Sequence, residues 1–164
     1  MLRVDHSGEY GAVRIYKGQI DAKACSPHLL KHMYDQEIEH LAFFESHMKK
    51  ENVRPSIMIP IWHVGGYLLG FVSGMFGKKS AMLCTEAVEE VIDKHYLQQI
   101  NYLSSKTDEK SKYLAEKIDL FRQDEIEHKN IAIESGSGEV CGYPILSFFI
   151  KSICSCAIAI SKRV

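Results

Sequence analysis

Proline is scarce, with four residues in a chain of 164, and the prolines cluster with glycines between long periodic segments. That distribution leaves uninterrupted stretches for helices and favours an all-α protein. An excess of one charge is missing as well: the net charge is −1 and the basic residues are scattered, so nothing points to a nucleic-acid partner. No two of the five cysteines, Cys25, Cys84, Cys141, Cys154 and Cys156, have zinc-type C-x-x-C spacing, and their number is odd. They read as small buried or half-buried thiols of a reducing compartment. No apolar run follows Arg3 and Asp5, so a secretory signal is not expected. Patterned sequence starts at once and leaves no room for a transit peptide, which suggests a bacterial protein or a trimmed form. No G-x-G-x-x-G follows a strand, so a Rossmann-type nucleotide site is not expected.

Hydrophobic residues make up 46% of the chain and charged residues 25%, enough for one domain, 1–164, with a sizeable core. Helical periodicity predicts four bundle helices over about 7–24, 26–51, 81–105 and 108–135. Ser26-Pro27 is a start signal for the second, Ser80 a cap candidate for the third, and Thr107 or Asp108 for the fourth. Gly8, Gly11 and Gly18 weaken the first helix but leave room for a neighbour. Residues 57–76 contain no acid, lysine or arginine, yet Pro60, His63, Ser73 and several glycines argue against a lone membrane span. A buried core helix or one lying in the membrane interface is expected there. Residues 143–161 are apolar nearly all round, with Lys151 inside and Lys162-Arg163 at the end, which suits an interfacial anchor.

The tetrapeptide Glu-Ile-Glu-His occurs twice, at Glu37–His40 and Glu125–His128. On a helix, i and i+3 share a face, so each copy can offer a carboxylate and an imidazole from one turn. Such pairs arise by chance in a chain with 14 glutamates and eight histidines. The weight comes from their identity, their polar prefixes (Asp35-Gln36 and Gln123-Asp124) and the apolar stripes that Glu37 and Glu125 border. Carboxylate-bridged dimetal bundles take Glu-x-x-His from two helices and one Glu from each of two others. Four carboxylates then balance two divalent ions. Glu9 is the only glutamate before Glu37, which fixes the first-helix candidate; the third bundle helix offers Glu86, Glu89 and Glu90. Glu39 and Glu127 are read as outward or supporting. His6, His28, His32, His47 and His63 are read as surface or satisfied core residues.

Several stretches together resemble the 5-demethoxyubiquinone hydroxylase family of ubiquinone biosynthesis. They are Arg3-Val4-Asp5-His6-Ser7-Gly8-Glu9-Tyr10-Gly11-Ala12, Asp35-Gln36-Glu37-x-x-His40-Leu41, Arg54-Pro55 before an apolar segment, Glu89-Glu90 ahead of His95-Tyr96, and Phe121-Arg122 ahead of Asp124-Glu125-x-x-His128. The resemblance covers nearly the whole chain; the link between Ala24 and Pro27 looks short for the family. It implies a ferritin-like four-helix bundle with two additional apolar helices. It also implies two iron ions held by Glu9, Glu37, His40, Glu89, Glu125 and His128, with Glu37 and Glu125 bridging, and so selects Glu89 over Glu90. A mixed carboxylate and imidazole set suits iron better than thiolate ligands would. The implied reaction is O2-dependent hydroxylation of a polyprenylated 5-demethoxyubiquinol (2-polyprenyl-3-methyl-6-methoxy-1,4-benzoquinol), with electrons from NADH. His95, Tyr96 and Tyr10 are candidates for supporting roles near the metal.

A substrate dissolved in the bilayer implies peripheral membrane association through 57–76 and 143–161. The expected location is the cytoplasmic face of a bacterial membrane, or the matrix side of the mitochondrial inner membrane for a trimmed form. A lipid-presenting or biosynthetic-complex partner and a homo-oligomer are compatible with that reading. The alternatives are a ferritin-like ferroxidase or peroxide-reducing di-iron protein, and a non-enzymatic helical module.

Overall fold

The computed structural model describes residues 1–163; Val164, the last residue of the expected domain, lies outside them. Six α-helices follow one another: α1 (Leu2–Asp21), α2 (Pro27–Lys50), α3 (Ile59–Met75), α4 (Lys78–Ser104), α5 (Glu109–Glu134) and α6 (Tyr143–Ser161), with a 3-10 turn at Ser137–Glu139 before the last. Among the described residues there is no strand. The fold is a four-helix bundle of α1, α2, α4 and α5, with α3 packed on the outside of α1 and α6 on the outside of α4.

Several boundaries differ from the periodicity-based expectation. Helix α1 starts five residues early, at Leu2 rather than Ser7, because its first turn is packed: Val4, Asp5 and His6 are buried. Its end is earlier too, since Lys23 takes φ 53 and breaks the helix before Ala24. Helix α4 starts at Lys78 after Gly77, whose φ of 89 is left-handed and favours glycine, and Ser80 lies inside the helix. Ser26 does occupy the N-cap of α2 ahead of Pro27, but its side chain makes no capping bond. Asp108 caps α5 by accepting from the Ser111 N–H at 2.9 Å.

The interior is layered along the bundle axis. Tyr16, Leu30, Met33, Ala81, Met82 and Ala132 fill one end. Phe44, Tyr96, Leu103, Ala115 and Ile118 fill the other. Between them lies a buried layer of carboxylates and imidazoles. On α2 the inward stripe is Leu30, Met33, Glu37, His40, Phe44 and Met48, so it turns through His40 and leaves Leu41 half-buried.

Helix α3 is not a core helix. Only Gly70, Ser73 and Gly74 of it are buried, while Ile61, Val64, Leu68, Val72 and Met75 form an exposed apolar stripe. Its contact with α1 is close because a Cβ on Gly70 would collide with the Ile15 carbonyl, and one on Gly18 with the backbone at Tyr67 and Phe71. Helix α6 likewise buries only Ser147, Ile150 and Ser161 and exposes Ile145, Phe148 and Phe149. Helices α3 and α6 flank an open cleft of about 300 Å³ whose floor is α1 and α4.

Candidate metal centre

Glu9 of α1, Glu37 and His40 of α2, Glu89 of α4, and Glu125 and His128 of α5 meet at the centre of the bundle, each no more than 2% exposed. They form two overlapping groups. One is Glu9, Glu37, His40 and Glu125; the other is Glu37, Glu89, Glu125 and His128; within each, potential ligand atoms lie within 4.8 Å of one another. Glu37 and Glu125 are common to both. Glu125 reaches both imidazoles, with Oε1 3.2 Å from His40 Nδ1 and Oε2 3.5 Å from His128 Nδ1. Glu37 lies 3.3 Å from His128 Nδ1 and Glu9 lies 3.6 Å from His40 Nδ1. Glu90, the neighbouring candidate, points outward and pairs with Lys94 and Lys151.

The protein alone leaves this layer unsatisfied. Both oxygens of Glu37 and of Glu125, one oxygen of Glu89, and Nδ1 of His40 and of His128 are buried without a hydrogen-bond partner. The approaches just given are in ion-pair range, but none is aligned as a hydrogen bond. Each unsatisfied buried polar atom costs on the order of 1–3 kcal/mol. Seven such atoms together would rival the roughly 5–15 kcal/mol that holds a whole domain folded. A pair of divalent cations satisfies them: two positive ions, four carboxylates, and two imidazole nitrogens aimed inward. The residues therefore fit the metal pair implied by the resemblance.

Titration behaviour has the same origin. Burial, followed by repulsion from Glu125, holds Glu37 and Glu89 well above the usual carboxylate range, and burial raises Glu9. Burial pushes His40 down, but the Glu125 and Glu9 carboxylates against it prevail and lift it to about 12. His128 is lifted to about 11 against burial by Glu125 and Glu37. Burial would raise Glu125 too, yet the two imidazoles outweigh it and bring it down to about 2. Without metal, protons take the place of the missing positive charge.

A second layer holds the first. Tyr16 OH donates to Glu89 Oε1 at 2.7 Å, and Tyr96 OH donates to Glu9 Oε1. His40 Nε2 meets Asp124 Oδ2 at 3.0 Å, and His128 Nε2 meets Gln36 Oε1 at 2.9 Å. Tyr96 thus lies against the cluster. His95 is one step removed, bonded to Asp5 at 3.1 Å and to Gln99. Tyr10 does not reach the cluster: it bonds to His63 of α3 at 2.6 Å, outside the bundle. Helix α1 turns Glu9 inward, and Tyr10, the next residue, therefore points away. Tyr16, Gln36 and Asp124 were not singled out as individual supports from sequence. A signal was present, since Glu9 to Tyr16 and Glu89 to Tyr96 are both seven residues, two helical turns, and Gln19 and Gln99 follow each at the same distance.

Comparison with known proteins places this geometry in context. Residues 1–161 match the family described as ubiquinone biosynthesis protein COQ7. A 3-demethoxyubiquinol 3-hydroxylase of Rhodospirillum rubrum is 42% identical over 166 residues, covering 99% of this chain and 76% of its own. A bovine (Bos taurus) protein named NADPH-dependent 3-demethoxyubiquinone 3-hydroxylase, mitochondrial, is 41% identical with the same coverage. A 5-demethoxyubiquinone hydroxylase, mitochondrial, of Saccharomyces cerevisiae is 39% identical over 179 residues, covering 100% of this chain and 77% of its own.

Proposed function

Because the chain belongs to the COQ7 family of ubiquinone biosynthesis proteins, we propose that the six-residue cluster is the di-iron centre of a demethoxyubiquinol hydroxylase. The protein is an O2-dependent hydroxylase of ubiquinone biosynthesis. The observation that carries the metal assignment is the set of unpartnered, inward-facing carboxylate oxygens and imidazole Nδ1 atoms. Glu37 and Glu125, common to both groups, would be shared between the two ions, Glu9 and Glu89 would each serve one of them, and His40 and His128 would each hold one ion through the inward-facing Nδ1. The iron pair, when bound, supplies the O2 activation that puts one oxygen atom on the ring. Tyr96 and Tyr16 hold the terminal carboxylates in place, and the apolar layers above and below keep bulk water out. A reduced nicotinamide provides two electrons. The resemblance suggested NADH; the bovine relative's name specifies NADPH, which makes NADPH the donor to test first.

The cleft between α3 and α6 is the proposed seat of the polyprenyl tail. Trp62, Leu69, Ile153 and Ile158 line it, as do Gly8 and Val88, the immediate sequence neighbours of Glu9 and Glu89. The exposed apolar faces of α3 and α6 are the proposed membrane contact. Tyr143–Ser161 is the one helix among the described residues long and apolar enough to cross a bilayer, but Lys151 bonded to Glu90 of α4 ties it to the bundle and favours a peripheral placement. The eukaryotic relatives are named mitochondrial, consistent with the inner membrane for a eukaryotic form. A storage or peroxide-reducing role draws no support from any of these features.

The test is direct. Protein loaded anaerobically with iron(II), given a demethoxyubiquinol, a reductant and O2, is expected to form the hydroxylated quinol and to hold two irons. Glu37→Ala removes a bridge and is expected to lose iron and turnover, by at least about 100-fold. Full turnover in that variant would sink the assignment.

A further inference from the structure

The supports of the cluster are exchanged between two halves of the chain. The α1–α2 half carries Glu9, Tyr16, Glu37 and His40; the α4–α5 half carries Glu89, Tyr96, Glu125 and His128. Each tyrosine bonds the other half's terminal carboxylate. Each histidine bonds the residue that precedes the other half's bridging glutamate: His40 to Asp124, and His128 to Gln36. The exchange is symmetric in geometry, at 3.0 and 2.9 Å from a buried imidazole to a half-buried acceptor. It is not symmetric in charge, because one acceptor is a carboxylate and the other an amide.

We infer that Asp124 makes the Glu9–His40 side of the cluster the tighter of two unequal metal positions, so that the ions load in a fixed order, His40 side first. The inference rests on the reading that the six residues hold two metal ions. With Nδ1 aimed at the metal, Nε2–H of each histidine donates outward. A carboxylate acceptor draws that proton more strongly than an amide oxygen does. It leaves more electron density on the ring and makes Nδ1 a more basic donor. Asp124 also brings a negative charge that, among the described residues, pairs with His40 and with no lysine or arginine. Gln36 brings none. The remaining supports do not offset this difference, since both terminal carboxylates accept from a buried tyrosine. Asp124 and Gln36 are positioning residues, acting on the metal through the two imidazoles.

The test is metal binding, independent of turnover. Apoprotein is titrated anaerobically with cobalt(II), a redox-stable probe, by calorimetry and by the visible ligand-field bands. Wild-type protein is expected to take two ions in two resolved steps. Asp124→Asn, which swaps carboxylate for amide at constant shape, is expected to weaken the first step about 10- to 100-fold and merge it with the second. Gln36→Glu is expected to tighten the second step by a similar factor, a gain that a folding defect cannot imitate. The double exchange is expected to restore two resolved steps. If Asp124→Asn leaves the first step unchanged, or weakens only the second, the order proposed here is wrong while the two-ion centre stands. If Gln36→Glu brings no gain, the charge explanation is wrong. If wild-type apoprotein binds no cobalt(II), both the centre and the order fall.

Discussion

Tyr16 shows how much a single hydroxyl can decide in this interior. It is 1% exposed, and among the described residues its OH is the one hydrogen-bond donor on Glu89, whose second oxygen has no partner there. Burial and the adjacent Glu89 carboxylate push the Tyr16 phenol well above its ordinary range, so it stays a donor at any physiological pH. Tyr16→Phe keeps the ring and its edge-on packing against His128 but deletes the donor. Iron retention against a chelator is expected to weaken about tenfold. Tyr96→Phe is expected to do the same through Glu9, because the two tyrosines occupy equivalent places in the repeat. A variant that keeps iron as well as wild type would mean that the carboxylates are held by the bridging geometry alone.

At the scale of elements, the α1–α3 contact depends on missing side chains. Gly66, Gly70 and Gly74 recur every four residues on α3, and added Cβ atoms there would meet α1 or, at Gly74, chiefly Ala22 and Ala24 just after it. Gly70→Val forces a branched side chain into the Ile15 carbonyl, which cannot give as a flexible side chain can. A loss of about 3 kcal/mol is expected in denaturant unfolding. Gly65→Val is the control: nothing lies within 4 Å of its Cβ position, and stability is expected to hold or rise slightly. Gly11 has the same open space and lines the cleft. Gly11→Leu therefore plugs the proposed tail site, and is expected to raise KM for a long-chain quinol while iron content stays at two. An unchanged KM would place the tail elsewhere.

The whole molecule joins a proton-loaded centre to an apolar outer face. In the metal-free protein, Glu9, Glu37, Glu89, His40 and His128 all have raised folded pKa values. A raised group contributes stability that is present below its unfolded pKa and lost as pH rises through the folded value. For the carboxylates the loss starts near pH 4.5, and for the histidines near 6.5. Glu125 has the opposite sign, but its window lies below about 4.5, where it is lost as pH falls toward about 2. Chelated protein is therefore expected to melt at lower temperature at pH 8 than at pH 5.5. Bound metal replaces those protons, so its affinity and the stability it adds are expected to rise over the same interval. Thermal scans with and without cobalt(II) check both. On the outer face, Phe148 and Phe149 are 73% and 62% exposed on α6. Replacing both with Glu is expected to weaken binding to phospholipid vesicles by at least about 100-fold, from the roughly 1.5–3 kcal/mol that burying each ring supplies. Iron content should not change, because neither side chain reaches the bundle core.

The all-α class, the six segments and four of the cluster residues, Glu37, His40, Glu125 and His128, were legible in the sequence from local spacing; Glu9 followed as the only glutamate ahead of them, and Glu89 was selected over Glu86 and Glu90 by the family resemblance. Glu-x-x-His puts two groups on one helical face wherever the helix sits, and an acid within an apolar stripe demands a partner. Three things were settled by tertiary structure alone. Helix α1 starts at Leu2 because Asp5 is held by His95 and Gln99, some ninety residues away, and no local signal encodes that. The apolar segments are outer helices and not core, because burial depends on what packs against a stripe, and periodicity is blind to it. The exchange of supports between halves, with Tyr16 on Glu89, Tyr96 on Glu9, a carboxylate at Nε2 of His40 and an amide at Nε2 of His128, exists only once the two helix pairs face each other. Spacing fixes which groups share a face of one helix; which face of another helix they meet is a property of the packed bundle.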